Sequence, residues 1–455
     1  MTKMFGTNGV RGVVNEDMNA KLALQMGKAI GSCFPGIIAI AKDTRVSSDM
    51  LSMAVISGLT TVGCDVRDLG MIPTPALQLY VKTHGEVVAG VMITASHNPP
   101  EYNGIKVIAG DGTEASTEQE AAVEAKYDEE IQGVSWSRVG SVRKVTGAAE
   151  EYIDSIISKV DVNLIRSAGF TAVVDCANGA SCYTSPLLLQ KLGVRAIALN
   201  ASANGEFPGH NSEPTEDNLS DLKKLVKDVK ADIGIAHDGD ADRCVFVDNK
   251  GNFVSGDITL ALMAMALLEA NNGGEVVTPV ATSSLIDEVV VRGNGTVART
   301  AVGSPKVARR MIDDHAVFGG EGNGGLIFPA HQYCRDGGMA VAYMLEFLAK
   351  GNTTLRKKID ELPVYYGVKK KIPCPMTLKS AVYDYIRSVT TTVKKDETDG
   401  IKLLFGNGWV HIRASGTEPQ FRVESESADE VVANQLSEKY EKLVSDFITA
   451  NTPSE

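Results

Sequence analysis

A chain of 455 residues is too long for one hydrophobic core and should divide into three or four domains. Its formal charge of -12 excludes a general nucleic-acid or anionic-membrane binder, since both need a positive field, so basic groups that hold an anionic ligand must be gathered locally. With 44% hydrophobic and 22% charged residues, no apolar run of membrane-spanning length and no signal-peptide pattern in the first residues, the sequence reads as a folded cytoplasmic protein.

The first segment, Phe5-Gly6-Thr7-Asn8-Gly9-Val10-Arg11-Gly12, sets three glycines and an arginine before any periodic element. Its backbone can approach a ligand while Arg11 offers a forked cation; a terminal turn with a surface arginine is the plain alternative. Leu22, Met26, Ala29, Ile30 and Cys33 fall at helical spacing and predict a core-facing stripe. The apolar run 37–41 predicts a strand that ends in Lys42-Asp43-Thr44-Arg45, where Arg45 is balanced between a structural and a phosphate role, with Ser47 or Ser48 as cap of the next helix. A further strand and helix follow, the alternation that marks an α/β chain.

Residues 87–93 form a buried-looking strand, and Thr94-Ala95-Ser96-His97-Asn98-Pro99 follows at its carboxyl end, where α/β sheets place ligands. Ser96 is there a candidate nucleophile. Lys106 lies ten residues on, beyond Pro-Pro and Asn-Gly turns able to fold it back over the serine. Tyr152, Ile153, Ile156, Ile157 and Val160 predict an amphipathic helix leading into a second domain, whose strand and helix alternation restarts at 171–174. The Gly/Pro-rich stretch 204–214 carries no assignable chemistry.

The most informative run is His237-Asp238-Gly239-Asp240-Ala241-Asp242-Arg243, set between two apolar strand-like segments. Alternate residues of a looped or extended backbone point the same way, so Asp238, Asp240 and Asp242 converge. Three such anions repel unless a cation lies among them, and oxygen ligands favour Mg²⁺ or Ca²⁺. A solvated acidic turn is the alternative. An EF-hand is excluded, because Arg243 stands where its loop needs glycine and Asn249 where it needs glutamate. The HAD-phosphatase pattern fails at Asp242, where threonine or valine belongs.

A third domain should start near Asn252. It holds Gly303-Ser304-Pro305-Lys306 and the glycine-dense Glu321-Gly322-Asn323-Gly324-Gly325, whose Glu321 and Asn323 suit the vicinal hydroxyls of a sugar. Neither a dinucleotide fingerprint nor a P-loop is present. A fourth domain starts around Lys369. Its strands 401–405 and 409–412 are joined by Gly406-Asn407-Gly408, whose Asn-Gly predicts a tight hairpin turn. Arg413-Ala414-Ser415-Gly416-Thr417 then offers a guanidinium, two hydroxyls and a glycine as an oxyanion cradle. A helix over 428–447 closes the chain. The seven cysteines and seven histidines are dispersed without a C-x-x-C pair, which leaves a zinc site without support.

Taken together, the loops at 94–99, 238–243, 321–325 and 413–419, with the segment at 5–12, resemble the α-D-phosphohexomutase family in its own order and across the whole chain. The resemblance implies four domains around a central cleft, three of similar mixed α/β topology and a smaller C-terminal α+β domain, here 1–150, 151–251, 252–368 and 369–455. It implies a phosphoserine at Ser96 that exchanges its phosphoryl group with a hexose 6-phosphate or 1-phosphate through a bound 1,6-bisphosphate. It also implies Mg²⁺ held by Ser96, Asp238, Asp240 and Asp242, assistance from Arg11, His97, Lys106 and Arg243, and substrate contacts from Lys306, Glu321, Asn323, Arg413, Ser415, Gly416 and Thr417. Many members read Glu-x-Ser-Gly-His in the sugar loop; Asn323 and Gly325 replace the serine and histidine here, with His331 or Lys306 as the expected substitute. The 321–325 form is similar to archaeal members, and the 5–12 segment to glucosamine-phosphate mutases, so glucosamine 6-phosphate is the expected substrate ahead of mannose and glucose phosphates. A metal-dependent sugar phosphatase and a non-catalytic sugar-phosphate sensor are the other classes. The oligomeric state stays open, a homodimer included.

Overall fold

The architecture follows from four antiparallel hairpins, each grown from apolar strands with a polar loop between them. The computed structural model describes residues 4–6, 9–415 and 419–452. In the first sheet the strand order is Val10–Val13, Tyr102–Ala109, Val87–Ile93, Ile37–Lys42, Asp65–Met71, Val142–Lys144. The last four run parallel, whereas Tyr102–Ala109 returns antiparallel to Val87–Ile93 with Met92 opposite Lys106. The second sheet has the order Phe253–Val254, Cys244–Val247, Ile233–His237, Thr171–Asp175, Arg195–Leu199, and the third Gly295–Thr300, Gly274–Pro279, Phe318–Gly320, Leu326–Phe328, Gln332–Arg335. Each again mixes parallel strands with an antiparallel hairpin, whose loops are 238–243 and 321–325.

The fourth sheet, Tyr366–Pro373, Gln420–Ser427, Gly408–Ala414, Ile401–Phe405, Lys394–Asp396, is antiparallel throughout. Helices Lys379–Val389 and Glu430–Asn451 pack on it, the second starting two residues later and running four further than its apolar periodicity predicts. The hairpin after Phe405 turns on Gly406-Asn407, one residue before the Asn-Gly read from the sequence. Gly408 is drawn into the strand opposite Phe405, and a Cβ there would meet the Glu426 carbonyl at 2.4 Å, so this glycine serves close strand approach.

The helical stripe at 22–33 is helix Ala20–Cys33, capped by the Asn19 side chain and burying Met26, Ala29 and Ile30. The helix Ala148–Ile157 buries Tyr152, Ile153 and Ile156 but ends before Val160. The inner faces of the first three sheets share one apolar core, from Met92 through Val174 to Val276, with Met339 and Leu345 of helix Gly337–Lys350 inside it. The fourth sheet has a separate core around Ile401, Val410, Phe421 and Val444. Among the described residues no helix is long and apolar enough to cross a membrane.

Candidate active site

Ser96 stands at the end of strand Val87–Ile93, fully buried and with a left-handed backbone (φ 53°) that a serine adopts only under constraint. That constraint is Arg45. Its buried guanidinium donates to the carbonyls of Ser96 (3.0 Å), Asn98 (2.6 Å), Pro99 (2.6 Å) and Tyr102 (2.8 Å), and to Asp43 at 3.1 Å. Of its two readings, the structural one describes these contacts. Asp43 also accepts from Thr94 and Ser48, so Ser48 braces the loop, and neither it nor Ser47 makes a capping hydrogen bond. The stretch 204–214, silent in the sequence, covers this frame: Phe207 lies 5.0 Å under the Arg45 guanidinium, and Glu213 approaches His97 and Arg243.

The Ser96 hydroxyl donates to Asp238 Oδ2 at 2.8 Å. Close approach of the two loops requires Gly239, where a Cβ would meet the Ser96 carbonyl at 2.5 Å. Asp238, Asp240 and Asp242 are fully buried, with one carboxylate oxygen from each within 4.8 Å of the others. Ala241 between them is left-handed (φ 57°), which returns the chain tightly enough for alternate side chains to converge. Burial and the two neighbouring carboxylates push Asp238 well up. Asp240 moves the other way: its burial is outweighed by the Lys106 ammonium at 2.7 Å and a Thr74 hydroxyl at 2.5 Å. Asp240 Oδ1 and Asp242 Oδ1 are buried and accept no hydrogen bond from the described residues. Two orphaned anionic oxygens in an all-carboxylate set fit a hard divalent cation.

Lys106 folds back as its turns predict, but its ammonium lands on Asp240 and Asp242 (2.7 and 3.2 Å). Burial alone would lower it; the two carboxylates raise it and keep it charged. Arg11 donates to Asn98 Oδ1 at 2.9 Å, and burial draws its guanidinium down to about 10. Arg243 lies 3.8 Å from Asp238, 3.9 Å from Asp242 and 3.8 Å from Glu213. Its charge, then burial, hold His97 far below the ordinary imidazole range, so the ring, 3.4 Å from the Ser96 hydroxyl, is neutral.

Glu321 is buried and accepts the Gly303 N–H at 3.1 Å, which joins the sugar loop to the turn before helix Ser304–Asp314. Asn323 is exposed and accepts from Gly325 N–H. Lys306 is exposed in the first turn of that helix. His331 does not replace the missing imidazole: it is bound to Asp336 at 2.8 Å and Ser155 at 2.9 Å, pinning the third sheet to helix Ala148–Ile157. Near the end of strand Gly408–Ala414, Arg413 lies 3.5 Å from Asp399, whose carboxylate also accepts the Val302 N–H. Ser415 is buried and accepts from Lys379 through its carbonyl. Gly416 and Thr417 lie outside the described residues, as do Thr7 and Asn8. A cavity of about 830 Å³ includes Arg243 and Asn323 in its lining and extends to Lys369 and Glu426 of the fourth sheet.

Two residues of this network carry no sequence signal. Thr74, at the start of helix Thr74–Thr83, binds Asp240 with both its hydroxyl and its N–H. Arg335, ending the strand Gln332–Arg335, donates to Asp242 at 2.6 Å.

Models of phosphoglucomutase/phosphomannomutase α/β/α domains I, II and III match residues 2–133, 150–251 and 255–366, and the C-terminal domain of the same enzymes matches 351–443. The chain belongs to the phosphoglucomutase/phosphomannomutase family. Among relatives, it is 42% identical to a phosphoglucomutase/phosphomannomutase of Thermococcus kodakarensis, covering 98% of this chain and 100% of the other. It is also 42% identical to a probable phosphoglucosamine mutase of Methanopyrus kandleri, covering 98% of each. The fold is that of a solved Burkholderia thailandensis family protein (TM-score 0.88, 24% identity, covering 100% and 99%). It is also that of an Aspergillus fumigatus N-acetylphosphoglucosamine mutase solved with GlcNAc-6P and magnesium (TM-score 0.62, 17% identity, covering 98% and 96%). Family membership accounts for the four-domain α/β architecture with its antiparallel C-terminal sheet.

Proposed function

We propose that this hexose-phosphate mutase interconverts glucosamine 6-phosphate and glucosamine 1-phosphate, with Ser96 as the phosphoryl carrier and units 1–150, 151–251, 252–368 and 369–455 supplying the phosphoserine, metal, sugar and phosphate loops. The observation that carries the reading is the buried hydrogen bond from the Ser96 hydroxyl to Asp238, which sets a nucleophile against three converging carboxylates. In the forward direction the Oγ–P bond of phosphorylated Ser96 breaks as the sugar O1 forms its own bond to phosphorus, the O1 proton leaves to a base, and Ser96 Oγ takes a proton to become the hydroxyl. The 1,6-bisphosphate turns in the cleft, its O6–P bond breaks as Ser96 Oγ loses its proton and is rephosphorylated, and O6 takes a proton.

Asp238, Asp240, Asp242 and a phosphoryl oxygen on Ser96 would hold Mg²⁺, which supplies charge stabilisation to phosphoryl transfer. The chain's own cations surround the same point. Lys106, Arg243 and Arg11 offset charge on the transferring group, and neutral His97 stands beside the serine as a hydrogen-bonding partner of its oxygen. Glu321 and Asn323 orient sugar hydroxyls. Arg413 and Ser415, with Gly416 and Thr417, hold the phosphate that is not reacting, which explains a basic loop in an acidic chain.

Glucosamine is favoured by a 42% identical relative named a probable phosphoglucosamine mutase and a 40% identical one named a phosphoglucosamine/phosphogalactosamine mutase. The test is a rate comparison on glucosamine, mannose and glucose 6-phosphates, each with its 1,6-bisphosphate as activator. The highest kcat/KM is expected on glucosamine 6-phosphate; a tenfold or greater preference for another sugar would overturn the substrate, and inorganic phosphate as the main product would overturn the mutase.

A further inference from the structure

Gly325 stands where the sugar loop of many family members carries an imidazole. Its glycine is not required by the backbone, since Gly325 is absent from the left-handed residues that include its neighbour Gly324 (φ 88°). It is required by space. A Cβ on Gly325 would lie 2.4 Å from Cδ of Arg335 and 3.1 Å from its Cγ. The Arg335 methylenes fill the volume a side chain at 325 would need, and they carry a guanidinium into the middle of the acidic network. There it donates to Asp242 of the metal loop at 2.6 Å and lies 3.6 Å from Glu321 of the sugar loop. It also lies 3.8 Å from Glu114, which accepts the Ser304 hydroxyl at 2.6 Å. One buried cation thus meets a carboxylate from each of the first three domains. Burial alone would lower its pKa, but these carboxylates raise it further, so its charge is permanent.

We propose that Arg335 is a positioning residue for the mutase reaction: it holds Glu321 in register with Asp242, so that sugar hydroxyls and the transferring phosphoryl group are presented together. It does so from the strand Gln332–Arg335, in the room left by Gly325. The proposal rests on the mutase reading above. It makes an asymmetric prediction. Removing the guanidinium releases Glu321 from its place and weakens sugar-phosphate binding, yet frees Asp242 from a competing cation and leaves divalent-ion binding equal or tighter. Loss of general structure would weaken both.

The experiment measures, for wild type, R335Q, R335K and G325A, the affinity for Mg²⁺ alone and for glucosamine 6-phosphate by calorimetry, with KM and kcat alongside. R335Q should weaken sugar-phosphate affinity about tenfold, raise KM to match and bind Mg²⁺ at least as tightly. R335K should recover part of the sugar affinity. G325A, which keeps the charge but pushes Arg335 aside, should weaken sugar binding about threefold, and it decides the matter if R335Q does not fold. Sugar affinity within twofold of wild type in the folded variants, or joint loss of sugar and Mg²⁺ binding, would overturn the proposal. Because binding is measured directly, a wild type without mutase turnover would overturn the proposed reaction separately.

Discussion

At the proposed reacting site Ser96, Asp238, Asp240 and Asp242 are fully buried, and their partners Lys106, Thr74, Arg243 and Arg335 come from two strands, a helix start and a loop of the three domains whose sheets share a single apolar core. In the fourth domain Arg413 is half-buried, meets Asp399 at 3.5 Å, and belongs to a unit whose core is its own. The first arrangement suits chemistry, in which donors must be fixed before charge develops. The second would suit the capture proposed for it, in which a loop must accept a phosphate from either end of the sugar and then release it. Fixed distances at the proposed reacting end and a separately cored domain at the proposed holding end are what a bisphosphate would need in order to turn without escaping.

The comparison is broken most sharply at the serine. Ser96→Ala removes the nucleophile and leaves Arg413 untouched, so turnover should fall by about three orders of magnitude or more while sugar-phosphate affinity stays within a few-fold. Coupled-assay rates beside calorimetric affinity check both halves. A variant that keeps near-normal turnover would show that the phosphoryl group is carried elsewhere.

The reacting end was legible in the sequence because its information is local. Three aspartates at alternate positions between apolar runs predict convergence, and an apolar strand followed by Thr94-Ala95-Ser96-His97 predicts a displayed serine; both loops are the turns of hairpins. What surrounds them was not legible. Thr74 reaches Asp240 across 166 residues and Arg335 reaches Asp242 across 93, and neither stands in a pattern that marks it. Arg45 shows the same limit from the other side: its position after a strand fits a phosphate site as well as a scaffold, and only the four carbonyls it holds separate the two. The expectation at His331 has this cause as well, since an imidazole bound to Ser155 across 176 residues looks free when only its sequence neighbours are considered. At the fourth domain, strand pairing drew Gly408 into the sheet and moved the turn by one residue, a choice made by Glu426 of a neighbouring strand.

A smaller effect is expected at the holding end. Arg413→Ala should raise KM for the sugar phosphate about ten- to hundredfold and let bisphosphate leave before its second transfer, which appears as free 1,6-bisphosphate in a quenched single-turnover assay. Its Mg²⁺ affinity should match wild type, because the fourth domain is cored apart from the carboxylates. A change in Mg²⁺ affinity would mean that the two ends are coupled more tightly than their packing suggests.

The smallest effect concerns the seam on which the fourth domain rests. Lys402 is buried there, donates to the Val280 carbonyl at 2.6 Å and lies 3.9 Å over the Trp409 ring, while Trp409 and the Ser284 N–H both donate to Glu426. Burial first, then Arg299, pull its ammonium down to about 8, against weaker opposition from Glu426, Asp287 and Asp396. Since the folded value lies below the ordinary 10.5, the unfolded chain binds more protons between about 8 and 10.5, and this lysine makes stability rise with pH across that window. Below about 8 both states are charged and the cost of burying the ammonium is carried in full. Lys402→Met removes the titration, so the slope of melting temperature against pH between 8 and 10 should become less positive, by about a few degrees over the window, with kcat at neutral pH changed less than twofold. The measurement is scanning calorimetry of wild type and variant at matched ionic strength. An identical slope in the two would place the ammonium in water and leave the seam held by Trp409 and Glu426 alone.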